Sequence, residues 1–251
     1  MIGAGLALGA VALGDAIAGG LACERRSIQR SVAGILVALV TFLVGAMLLR
    51  LETQELGWLL VLVALYSTSW VGLRQVETTT VMQAWLSVLA NGIFVAWILA
   101  SRPPSMGPGS PMEGWLRGLP YPGMRGVSPS AAVLGLGVAL WLGPTANGIV
   151  RAVLVAAGAD PGTSEQSLRG GRIIGVLERW MIFGFMLAGA PTAAAIIVSA
   201  KSILRFPELS EKAKPAPAGG SEPALNVVTE YLLLGSLVSW SLALAPAVLF
   251  R

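Results

Sequence analysis

The chain contains no histidine and a single cysteine, Cys23. Without histidine there is no zinc site of the common types and no Ser-His or Cys-His nucleophilic pair. One cysteine cannot close a disulfide within the chain. Charge is scarce too: Asp, Glu, Lys and Arg make up 12% of 251 residues. A soluble domain carries about twice that share. Aspartate occurs only at Asp15 and Asp160, so the clustered aspartates that hold a metal in many phosphate-handling enzymes are missing. The net charge of +4 and pI near 9.7 invite a nucleic-acid reading. No Lys/Arg-rich stripe with interleaved aromatics supports it. No metal or cofactor is expected, and no nucleic-acid partner.

What the chain has instead is long apolar runs: 55% of residues are hydrophobic and the mean hydropathy is +0.75. The charges fall in short loops between these runs, which is a topology signal. The fold class expected is all-α: a polytopic integral membrane helical bundle of about eight transmembrane helices, or seven if 171–206 is re-entrant.

Residues 2–22 form the first span, where Gly5 and Gly9, then Ala10 and Gly14, have the small-xxx-small spacing of close helix contacts. Asp15 lies deep in it, a candidate intramembrane carboxylate or a buried, paired side chain. Gly20-Leu-Ala-Cys23 faintly resembles a lipoprotein cleavage site. The basic n-region of a signal peptide is missing, so the segment is expected to stay as an anchor. Spans follow at about 31–49, 57–73 and 79–100, completing a four-helix N-terminal half, 1–100. Trp58 stands where an interfacial anchor would. Tyr66–Trp70 make the lower half of the third span polar, and Gln83 and Asn91 are expected to tie the fourth to its neighbours by hydrogen bonds.

Ser101–Ser130 is dense in Pro and Gly, which block regular structure. It is expected as an extracytoplasmic loop, with Trp115 and Tyr121 at headgroup level. The C-terminal half, 131–251, then holds a span at 131–150 with Asn147 and Arg151 at its end, continuing as a less apolar helix to about 158. A turn-rich linker, the segment 171–206, a flexible linker at 207–223 and a last span at about 224–250 follow.

Segment 171–206 carries Arg172, Glu178, Arg179, Lys201 and Arg205 among apolar residues. Ionisable groups inside membrane segments are costly and mark functional-site candidates. As one helix it would run about 54 Å, too long for a hydrocarbon core of about 30 Å. Gly189 and Pro191 predict a break between arms 172–188 and 191–205. Folding back there brings Glu178 and Lys201 to similar depth, as an ion pair with Arg179 or Arg205 nearby. The Lys/Arg bias places the N-terminus outside and the basic loops in the cytoplasm. Glu178, Arg179, Lys201 and Glu230 then fall one to two turns inside the cytoplasmic face. The cluster Arg172, Glu178, Arg179, Lys201, Arg205 and Glu230 is either a ligand site or the polar lock of a bundle.

The C-terminal two-fifths, from about Asn147, resembles an uncharacterised family of small prokaryotic polytopic membrane proteins, a domain of unknown function. The residues that carry the likeness are Asn147-Gly-Ile-Val-Arg151, Gly171-Arg-Ile-Ile-Gly175 with Leu177-Glu-Arg179, Ala200-Lys-Ser-Ile203 with Arg205-Phe206, and Glu230-Tyr231 with Gly235 and Ser239. The resemblance implies a multi-span membrane protein. Members of that family also bear histidine near the N-terminus, which this chain lacks.

Three functions stay open. The first is a structural, accessory or assembly component of a membrane complex, whose expected partners are the bilayer, another membrane protein and anionic lipid at the cytoplasmic face. The second is a small-solute or ion transporter using the broken hairpin. The third is a lipid-headgroup-binding enzyme, for which no catalytic constellation stands out.

Overall fold

The computed structural model describes residues 2–20, 28–51, 53–75, 80–100, 111–118, 120, 127–158, 171–212 and 224–250. Their regular structure is all helical. In chain order the helices are α1 Ile2–Asp15 with a π turn at Ala16–Gly20, α2 Ile28–Leu48, α3 Thr53–Gln75, α4 Val81–Ala100, α5 Pro111–Arg117, α6 Pro129–Trp141, α7 Pro144–Ala156, α8 Gly171–Leu187, α9 Pro191–Lys212 and α10 Ala224–Leu244 with a 3-10 turn at Ala245–Phe250. Four segments are long and apolar enough to cross a membrane: Ile2–Gly19, Ile28–Leu48, Val81–Ile98 and Leu233–Phe250. The bent pair α6–α7 makes a fifth if it counts as one span. Leu56–Gly72 and Pro191–Ile203 are apolar but shorter. Cys23, the Arg25–Arg26 loop, the 159–170 linker, most of 101–126 and residues 213–223 lie outside the described residues.

Two compact units result, Met1–Ile149 and Val150–Arg251. The first is built around α1. That helix is apolar all round, which suits burial on every side, and 78% of its apolar window is buried against 28% for α2 and α4. The small residues make this possible. A Cβ on Gly5 would lie 2.5 Å from Leu134 Cα in α6, and one on Gly137 would overlap the Gly5 carbonyl. On the other side, a Cβ on Gly14 would lie 2.5 Å from the Gly34 carbonyl of α2. The sequence-based division put 131 onward with the C-terminal half, whereas α6 packs on α1 within the first unit. Side chains leave no room for that approach; glycines do.

Helices α3 and α4 meet along a seam of alternating three- and four-residue spacing: Leu59, Val63, Tyr66 and Trp70 against Ala84, Ser87, Asn91, Phe94 and Ile98, all buried. This is the pattern of ridges meeting grooves at a shallow angle. Tyr66 stacks on Phe94 with 3.9 Å between ring centres and donates its hydroxyl to Asn91 Oδ1 at 2.5 Å. Asn91 thus ties two helices, as expected. Gln83 does not: its side chain accepts from Thr80 N–H at 2.9 Å while Thr80 Oγ1 accepts from Gln83 N–H, a capping box that starts α4. Tyr66→Phe keeps the ring and loses the interhelical bond. It is expected to cost about 0.6–1.7 kcal/mol, read as a lower melting temperature in detergent.

Three segments differ from expectation. Instead of one span over 131–150, α6 and α7 meet at 48°. Pro144, the first residue of α7, has no N–H to continue the ladder, and the Leu140 carbonyl accepts from Gly143 N–H at 3.1 Å instead. Within the 101–130 loop, α5 forms a short helix with Pro111 at its first position, where proline is tolerated. Beyond Phe206, α9 runs on through Pro207 to Lys212, so that part of the 207–223 linker is helical.

In the second unit α8 and α9 form the hairpin that Gly189 and Pro191 imply. Gly189 has φ 71°, Ala190 N–H donates to Phe185 O at 2.9 Å, and Gly189 N–H to Met186 O at 3.2 Å. This is a Schellman cap, and Pro191 then opens α9. An alanine at 189 would carry its Cβ into the left-handed region, so Gly189→Ala is expected to cost about 1–2 kcal/mol in thermal unfolding. Ile182, Ala194 and Ala243 from three helices form the core, and Phe183 meets Phe250 edge to face at 5.8 Å.

Candidate functional site

The polar residues of the second unit converge where α8, α9 and α10 meet. Glu178 is 6% exposed and sits midway along α8. Lys201, midway along α9, forms an ion pair with Glu178 Oε2. The other oxygen, Oε1, accepts from Trp240 Nε1 of α10 at 2.8 Å. Lys201 Nζ also lies 5.9 Å from the centre of the Trp240 ring, within cation–π reach. One carboxylate therefore holds three helices: its two oxygens bind one partner each.

Arg179 turns the other way. Adjacent helical residues point about 100° apart, so it cannot share the Glu178 face. It is 2% exposed and Nη1 donates to Ser239 Oγ of α10 at 3.0 Å. Gly175, one turn earlier, lies beside it: a Cβ there would be in ordinary contact with Arg179 Nη1 at 3.7 Å. Thus α8 presents a carboxylate and a guanidinium on successive residues, and α10 answers with an indole N–H and a hydroxyl, also successive.

Of the six residues expected in this cluster, the structure brings together Glu178, Arg179 and Lys201. Arg172, Arg205 and Glu230 lie on α8, α9 and α10, and their side chains are outside the described residues. Among the described side chains of α10, Ser239 and Trp240 reach the cluster. Trp240 was missed in the sequence because an indole in an apolar span reads as packing. Its position ten residues past Glu230 offered no local cue. Asp15 is in the first unit, 2% exposed and engaged in interactions of its own. Among the described residues no group of three His, Cys, Asp or Glu could hold a metal ion.

The surfaces around these helices are apolar. Val32, Leu36, Val40 and Val44 of α2, Trp85, Leu89, Ile93 and Trp97 of α4, and Ile173, Leu177 and Met181 of α8 are all at least half exposed. They recur every four residues, so each helix carries an exposed apolar stripe. Hydrocarbon is the solvent such stripes suit.

No protein-family model matches the chain, and no curated protein or solved structure is similar to it.

Proposed function

We propose that the chain is a multi-pass cell-membrane protein of about eight spans, with the N-terminus outside and the basic loops cytoplasmic. In this reading it is a structural, accessory or assembly component of a membrane complex, and the Glu178 network locks its C-terminal helices. The observation that carries this is the saturation of Glu178: both oxygens are engaged from within the bundle, by Lys201 and by Trp240. A carboxylate kept for a substrate would face an accessible space; this one joins helices. The small-residue contacts of α1 point the same way, since close-packed glycine interfaces suit rigid assembly. The resemblance of the C-terminal part to an uncharacterised membrane-protein family agrees with a multi-span architecture and adds no activity.

The test is purification of the full chain in mild detergent followed by native mass spectrometry. A second membrane protein at fixed stoichiometry is expected. A lone protein carrying anionic lipid would move the reading to headgroup binding, the enzyme alternative included. A lone protein that moves a small solute in proteoliposomes would establish the transporter reading, which the discontinuous α6–α7 pair favours.

A further inference from the structure

Hydroxyls on these helices are usually satisfied one turn back. Ser87, Ser199, Ser202 and Ser241 donate to the carbonyls of Gln83, Ala195, Val198 and Leu237 at 2.9–3.0 Å. Thr145 breaks this habit, as do Ser31 and Ser67. It is fully buried in the first turn of α7, and its Oγ1 has no hydrogen-bond partner among the described residues. The residue four back, Trp141, is the last of α6, on the far side of the 48° bend. Trp141 is itself 6% exposed, and its Nε1–H is likewise unpartnered. Two buried polar groups thus flank the same break, one a donor and the other a donor and acceptor.

Buried polar atoms in folded proteins almost always have a partner, protein or ordered water. Irregular backbone at membrane depth is tolerated where it is covered by protein or lines a hydrated cavity. A second break lies level with the first. Gly5 of α1 faces Leu134 and Gly137, and Gly9 faces Gly137 and Leu140, so α1 and α6 run parallel. Continued along both helices, that register carries Asp15 to the level of the bend. There α1 itself gives way to its π turn, with Gly19 at φ 100°.

We infer that the α6–α7 bend binds ordered water, held by Trp141 Nε1–H as donor and by the Thr145 hydroxyl. The site belongs to the first unit and is separate from the Glu178 network, so it goes beyond the proposed lock. Asp15 has partners of its own and is not needed as a ligand. Water supplies the acceptor that the bend withdraws from Thr145 and the one that no nearby residue offers to Trp141.

The test uses the full chain in detergent with ¹⁵N-labelled tryptophan, the Trp141 indole signal being identified by its loss in Trp141→Phe. Magnetisation transfer from long-lived water to the Trp141 N–H is expected. Thr145→Val, nearly isosteric, is expected to weaken that transfer at least twofold and to lower the melting temperature, whereas Thr145→Ser retains both. Absence of the transfer in the wild-type protein overturns the inference. So does a Thr145→Val protein that melts higher, because removing a dry, unpartnered hydroxyl relieves a penalty. If Thr145→Val fails to fold, the wild-type transfer decides alone. Neither result depends on whether a partner protein co-purifies.

Discussion

Glu178→Gln is expected to lower the melting temperature of the detergent-solubilised protein by about 6–12 °C. Glutamine keeps an acceptor for Trp240 and nearly the same volume, so the change isolates the negative charge. Removing one partner of a buried ion pair costs about 3–5 kcal/mol, because the other charge is left in a poorly solvating place. Lys201 retains 17% exposure, which permits partial rehydration and points to the lower end. About 3 kcal/mol corresponds to the stated shift for a chain of this size. The double change Glu178→Leu with Lys201→Met should recover much of the loss, since an apolar replacement of a whole buried pair is often neutral. An unchanged melting temperature in Glu178→Gln would remove the lock and return the cluster to the ligand-site reading.

The second large effect belongs to the first unit. Gly137→Ala should destabilise by about 3 kcal/mol or more, because the new Cβ meets the Gly5 backbone, 2.8 Å from its Cα, where no flexible side chain can yield. Gly92→Ala is the control. It lies in α4 with nothing within 4 Å of its added Cβ, so helix propensity alone applies and a gain of about 0.5–1 kcal/mol is expected. The same substitution at two helical glycines should therefore change sign. Equal effects at both sites would mean that α1 and α6 do not approach as closely as their backbones indicate.

Much of this protein was legible in its sequence, and the reason is local chemistry. Apolar runs bounded by charge, Gly and Pro mark helices because a backbone in an apolar medium must satisfy its own hydrogen bonds. The expected spans fall on helical segments, 131–150 being divided between α6 and α7, and four segments are long and apolar enough to cross a membrane. Gly189 and Pro191 announced the hairpin: one accepts a left-handed φ and the other cannot continue a helix. Counting residues from that turn was enough to bring Glu178 level with Lys201. Gly143 and Pro144 carried the same kind of signal for the α6–α7 bend, but the unbroken hydropathy on either side hid it. In Thr80-x-x-Gln83 a capping signature was likewise hidden by the habit of assigning membrane amides to interhelical bonds.

Distances along the chain, helix limits and turn positions were thus determined by the sequence alone, because each depends on residues within a few positions of one another. The tertiary structure decided who faces whom. It made α1 the buried centre of the first unit and assigned α6 to it through Gly5 and Gly137, 132 positions apart, whose glycine pattern carries no address for the partner. It also set Trp240 and Ser239 of α10 against Glu178 and Arg179. That choice depends on how far one helix slides and rotates against another. Packing settles it over the whole interface, and no single residue records it.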